Sequence, residues 1–175
     1  YDYYVVLDFE ATCSDDREGD KTINNGNQEI IEFPSVLVNA KTLQIVSNVQ
    51  SYLKPVLVPR LTRFCTELTG ISQQTADSGG SFPAAMNTHV KWLIANGLDP
   101  GNPDALGKSF TIVTCGDWDL KSMLPRQLRL LESLTGRRAR AHACYRRWAN
   151  IKTLYWRYHS RPTRGRGMVG MLAHA

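Results

Sequence analysis

With 175 residues, 42% of them apolar, the chain can close one domain around a substantial core, and no apolar run approaches the roughly 20 residues of a membrane-spanning helix. Four cysteines (Cys13, Cys65, Cys115, Cys144) stand without any C-x-x-C pairing, which argues against a zinc site or a disulfide framework and for reduced thiols in an intracellular protein. The net charge of +5 is unevenly spread: residues 1–90 carry 6 basic and 11 acidic side chains, residues 91–175 carry 15 and 5, and 11 of those 15 are arginine. An acidic half that gathers cations joined to a basic half that gathers phosphate suits a metal-dependent nuclease. An ordinary basic surface has the same composition.

In chain order, Tyr4-Val5-Val6-Leu7 has the apolar, β-branched character of a strand buried on both faces. The strand runs to Asp8 and is followed by Phe9-Glu10. Side chains in a strand alternate, so Asp8 and Glu10 share a face, with Cα atoms about 6.5–7 Å apart at roughly 3.3 Å per residue. Both carboxylates then reach one hard cation or a close pair, Mg²⁺ or Mn²⁺. Asp-x-Glu taken alone is more often a solvated strand end.

Residues Cys13–Gln28, rich in Asp, Asn and Gly, predict an exposed loop. Glu29–Asn39 and Leu43–Leu53 predict two strands joined by the turn Asn39–Thr42, which with the first makes an antiparallel meander. Pro34 argues for an edge position or a bulge. Leu61–Gly70 predicts a short helix closed by Gly70, and Ser81 caps a second helix over Phe82–Asn96. The spacing of Met86, Val90, Leu93 and Ile94 marks the apolar face of that helix.

After the loop Asp99–Lys108, Phe110–Thr114 predicts a strand that runs into Asp117-Trp118-Asp119. A second acid cluster at a strand-to-helix junction lifts Asp8 and Glu10 above background, because ligand sites in α/β sheets gather at strand ends. Asp117 suits a helix N-cap, which leaves Asp119 to face the first strand. Trp118 either fills the core or stacks on a base. The helix from Asp119 carries Pro125 as a kink or break. Gly136–Arg147 is basic and irregular, Ile151–Tyr155 predicts a last strand, His159–Gly167 a flexible basic loop, and Met168–Ala175 the opening of a helix. No repeat or linker divides the chain, so residues 1–175 are expected to form one α/β domain with a mixed sheet flanked by helices.

Four co-linear stretches, Asp8–Cys13, Glu29–Pro34, Phe64–Ile71 and Thr114–Leu120, resemble the 3′–5′ exoribonucleases of the three-prime histone mRNA exonuclease (ERI-1) type, a DEDDh group with the ribonuclease-H-like fold. Trp148–Lys152 is similar to a further family segment. The Cys-Gly-Asp-Trp-Asp-Leu stretch is most similar to the prion-protein-interacting exoribonuclease subtype. The resemblance implies Asp8, Glu10 and Asp119 as metal-binding and catalytic acids, with two Mg²⁺ or Mn²⁺ ions. It also implies single-stranded RNA 3′ ends as substrate and nucleoside 5′-monophosphates as product. Glu10, Ala11 and Thr12, with Phe64, Leu68, Thr69 and Trp118, would border the terminal nucleotide, although simple packing explains the Phe64–Thr69 helix equally well. No residue obviously reads a 2′-hydroxyl, so RNA over DNA rests on the resemblance.

The group also uses a histidine base and a fourth aspartate in a Gly-Arg-x-His-x-Gly-x-Asp-Asp stretch. The 175 residues do not contain it, and the expectation is an exonuclease domain truncated at its C-terminal end. His89, His142, His159 and His174 are not expected to substitute. A scaffold that holds RNA through Arg137–Arg166 is the competing reading.

Overall fold

The computed structural model describes residues 1–15, 21–159 and 168–172. Six strands form one mixed sheet: β1 (Tyr3–Leu7), β2 (Glu10–Ala11), β3 (Ile30–Asn39), β4 (Ile45–Tyr52), β5 (Phe110–Thr114) and β6 (Trp148–Asn150). β3 runs antiparallel to both β1 and β4, so the expected meander forms. β5 lies parallel to β1, and β6 parallel to β5. β2 continues along β3 beyond the end of β1, with Leu7 opposite Ser35 and Glu10 opposite Glu32.

That interruption explains Pro34. β3 is an inner strand, which removes the edge reading, but Pro34 falls between Ser35 and Glu32, where the ladder on that side breaks. A residue without an N–H is tolerated where a partner strand is interrupted.

Helices α1 (Arg63–Thr69), α2 (Gln73–Asp77), α3 (Phe82–Ala95), α4 (Leu124–Thr135), α5 (Ile151–His159) and α6 (Met168–Leu172) accompany the sheet. The Thr62 hydroxyl accepts from the Cys65 N–H at 3.0 Å to open α1, and Gly70 closes it at φ +73°. Ser81 caps α3 as expected, accepting from the Ala84 N–H at 3.4 Å. The buried face of α3 is Phe82, Ala85, His89 and Leu93, while Ile94 is 58% exposed. The expected face is therefore rotated, because a histidine occupies a core position that apolar spacing does not count. Val5, Leu7, Phe33, Leu37, Phe110 and Ile112 meet that helix in the main core.

Three further expectations change. Val6 is 42% exposed between buried Val5 and Leu7, so β1 alternates and is not enclosed on both faces. A short apolar run cannot distinguish these cases by itself. Ile151–Tyr155 is helical, and the last strand is Trp148–Asn150, since the Asn150 carboxamide accepts from the N–H groups of Lys152 and Thr153 and turns the chain into α5. Pro125 does not kink a helix: it stands in the first turn of α4, after a six-residue π-helical segment over Trp118–Met123. Most of the expected basic loop after His159, and His174, lie outside the described residues.

At the far end of β4, Gly79 approaches the backbone of Leu53 so closely that an added Cβ would lie 2.6 Å from the Leu53 carbonyl carbon. Backbone cannot step aside as a side chain tip can. Gly79→Ala is expected to destabilise the fold by about 2–3 kcal/mol, read as a lowered urea midpoint.

Candidate active site

β1 ends at Leu7 and hands the chain to Asp8 and Phe9 before β2 begins at Glu10. Phe9 is buried and packs edge-on against Phe33, ring centroids 4.7 Å apart, which anchors the backbone between the two acids. On the neighbouring strand, β5 stops at Thr114, whose hydroxyl donates to the Gly116 carbonyl at 2.6 Å. Gly116 takes φ +126°, a conformation that glycine adopts readily and other residues avoid. The chain then enters the π-helical segment with Asp119 in its first turn. The Asp119 Oδ1 accepts from the Phe9 N–H at 2.8 Å. That bond, between residues 110 apart in sequence, ties the two acidic stretches together.

Asp119 is 3% exposed, Glu10 is half-buried and Asp8 is exposed. Burial is the main cause that raises the pKa of each of the three. It carries Glu10 to about 7, with the charges of Asp8, Glu32 and Asp119 adding to the rise. Asp8 is raised against the opposing charge of Lys152. Asp119 is raised against the donation of the Phe9 N–H. Three carboxylates whose ionised forms are disfavoured by burial and by one another gain when a positive charge arrives. Hard oxygen donors suit a hard divalent cation, and Asp8, Glu10 and Asp119 are the residues that could hold one. Among the described residues no three acidic, histidine or cysteine side chains are grouped closely enough to hold a metal ion as they stand.

Asp117 occupies the N-cap position of the π-helical segment but its side chain caps nothing there; its Oδ1 accepts from the Trp148 indole N–H at 3.0 Å. Trp118 is 40% exposed, so the core reading of that residue does not hold. Ala11 is buried with its carbonyl 3.7 Å from the Cys65 Sγ, which sets α1 against β2. Packing there is done by Cys65; Leu68 is 65% exposed and Phe64 half-buried on the outer side of α1. The Thr69 hydroxyl is engaged within its own turn, donating to the Cys65 carbonyl and accepting from the Ile71 N–H. Thr12 is 1% exposed, and its hydroxyl accepts from the Glu29 N–H at 3.0 Å. Thr12 therefore ties the end of β2 to the residue that leads into β3.

Two residues near the acids escaped sequence reasoning. Glu32 lies directly opposite Glu10, a relation visible only once the register of β2 on β3 is known. Lys152 projects its charge onto both Asp8 and Asp119 from the first turn of α5. Its signal was the Trp148–Lys152 segment, which carried no role. Of the described histidines, His89 is 1% exposed in the core and His159 packs on Tyr155 at 4.2 Å; none bonds to the three acids.

Residues 5–161 match the profile of the exonuclease family RNase_T. The chain belongs to this exonuclease family. Its relatives include ERI1 exoribonuclease 3 of Homo sapiens, 40% identical over 155 residues, 89% of this chain and 41% of the relative. Another is 3′-5′ exoribonuclease 1 of Mus musculus, 33% identical over 162 residues, 93% of this chain and 42% of the relative. The chain thus spans about two fifths of these curated relatives. Among solved structures, the nuclease domain of 3′hExo, a DEDDh family member bound to rAMP, superposes with a TM-score of 0.79 at 31% identity, covering 94% of this chain and 74% of that one. A structure of 3′-exonuclease in 3′-end-specific recognition of the histone mRNA stem-loop agrees equally, with a TM-score of 0.79 at 31% identity, 94% of this chain and 51% of that one. The exonuclease fold is therefore the ribonuclease-H-like one, and the resemblance to ERI-1-type enzymes stands. No helix among the described residues of this family member is long and apolar enough to cross a membrane.

Proposed function

We propose that this domain is the catalytic unit of a metal-dependent 3′–5′ exoribonuclease that releases nucleoside 5′-monophosphates. The observation that carries the proposal is the Phe9–Asp119 hydrogen bond, which brings a third carboxylate, itself buried, to the strand end that bears Asp8 and Glu10. Relatives named as 3′-5′ exoribonucleases and a neighbour bound to rAMP support the reading.

In this reading Asp8, Glu10 and Asp119 hold the divalent ions. When bound, the ions supply the positive charge that offsets the attacking and departing oxygens of an in-line hydrolysis. The chain's own residues set the geometry. Phe9 fixes the spacing of the two strand acids, and its N–H orients Asp119. Leu68, exposed on α1, and Trp118, exposed beside Asp119, offer apolar surface for the terminal base and sugar. Lys152 adds a cation beside the acids for a substrate phosphate.

A 5′-labelled single-stranded RNA with Mg²⁺ or Mn²⁺ tests this, on this chain and on one extended past Ala175. A ladder that shortens from the 3′ end, abolished by EDTA, is expected. RNA bound tightly by both forms without cleavage would overturn the enzyme reading and leave an RNA-holding scaffold.

A further inference from the structure

Three of the eleven arginines of residues 91–175 lie at the outer edge of the sheet. β6 pairs with β5, and a cleft of about 600 Å³ lies alongside it, lined among others by Arg146, Arg147, Trp148, Asn150, Arg157 and Asp117. All three arginines are exposed. Arg147 is bonded to Asp104, whereas Arg146 and Arg157 make no ion pair among the described residues. Asp117 is the carboxylate among these lining residues, and the Trp148 indole N–H already occupies it. The cleft therefore presents two uncommitted guanidinium groups, which suit phosphate oxygens in both charge and geometry.

The cleft shares β6 and α5 with Lys152, the cation beside the acids. Asn150 lines it and at the same time caps α5, the helix that sets the Lys152 charge beside Asp8 and Asp119. The Lys152 Nζ comes within 3.8 Å of where a Cβ on Gly116 would be, which places the lysine head beside the turn that leads from β5 to Asp119. Arg146 closes the short 3₁₀ turn Ala143–Arg146 that leads into β6, so the strand carries the cleft from Asn150 back toward Arg146.

We propose that this cleft binds the RNA strand on the 5′ side of the scissile linkage, with phosphates passing Lys152 and running along β6 to Arg146 and Arg157. The assignment rests on the exonuclease reading above. It makes the arginines a device for affinity that grows with RNA length, separate from the chemistry at the acids.

The test compares the wild-type chain with the double variant Arg146→Gln, Arg157→Gln. Binding of 5′-fluorescent RNAs of two, four and eight nucleotides is measured with Ca²⁺ in place of Mg²⁺, and melting curves confirm that both proteins fold. Wild-type affinity is expected to rise at least tenfold from the dinucleotide to the octamer. The variant should bind the dinucleotide normally and lose most of that rise. The slope of log affinity against log salt should become shallower by about 1.4, or about 0.7 for each phosphate that an arginine no longer neutralises. Equal octamer affinity of the two proteins would overturn the proposal, as would wild-type preference for a poly-glutamate peptide over RNA. Octamer binding that depends on the arginines, without any dinucleotide binding, would uphold the cleft while sinking the acid site, so the two readings fail separately.

Discussion

Replacing Asp119 by Asn is expected to lower exonuclease turnover about 10³-fold, roughly 4 kcal/mol of lost transition-state stabilisation. The substitution keeps the shape of the side chain. The carboxamide oxygen that replaces the Asp119 Oδ1 can still accept from the Phe9 N–H, so the bond that joins the two acidic stretches survives. What disappears is one negative charge of the three that would hold the cations. The same change should leave the metal-free protein at least as stable as wild type at pH 8. Asp119 is among the charges that push Glu10 up to about 7, so removing that charge relieves the repulsion that an ionised Glu10 meets at pH 8. Turnover on labelled RNA and melting in EDTA give the two readouts. Turnover within tenfold of wild type would remove Asp119 from the catalytic set. A large loss of stability in EDTA would mean that the residue acts through the fold.

Acid should unfold the protein through His89. Its Nδ1 lies 2.7 Å from the Tyr145 hydroxyl and its Nε2 2.9 Å from the Ser35 hydroxyl, and the ring stacks on Phe33 at 4.6 Å. Burial pushes its pKa down to about 3 from an ordinary value of 6.5. The folded state therefore refuses a proton that the unfolded chain accepts. The resulting stability is fully present above pH 6.5 and is lost as pH falls toward 3. Between pH 6.5 and 4 the loss amounts to roughly 3 kcal/mol. Protonation of Glu10 works in the opposite direction over pH 7 to 4.5, so the net slope of the wild type is shallower than this. His89→Ala isolates the effect. It should cost about 3–5 kcal/mol at pH 7, since it opens a cavity and strips two buried hydroxyls of a partner. It should also remove the His89 part of the acid slope. Urea unfolding at several pH values measures both, and identical slopes in wild type and variant would show that another group governs acid unfolding.

The legible parts of this protein were those governed by local rules. Ser81 and Gly70 mark helix ends because capping and left-handed geometry act within a few residues. Asp8 and Glu10 share a strand end because alternation is local. The choice of Asp119 over Asp117 could be framed from position in the turn, although its ground is a bond to Phe9 from across the sheet. Other features depended on partners distant in sequence. The rotation of α3 follows from hydroxyls on β3 and on Tyr145 that satisfy a core histidine. The opposition of Glu10 and Glu32 follows from a strand register, and the inward turn of Thr12 from the Glu29 N–H. The final strand was misplaced by three residues because Ile151–Tyr155 is as apolar as a strand, while Asn150 makes it the start of a helix.

The bond between Phe9 and Asp119 also bears on biosynthesis. Asp8 and Glu10 leave the ribosome before Asp119, which follows 110 residues after Phe9. At about 5–20 residues per second that interval is on the order of ten seconds. Throughout it the first two acids have no third partner, and β1 lacks the parallel neighbour that lies beside it in the finished sheet. A nascent chain threaded through an RNA machine and bound to its own message thus carries its acidic strand end in an unassembled state. Long-range assembly keeps the three acids apart until β5 and the segment after it have been made.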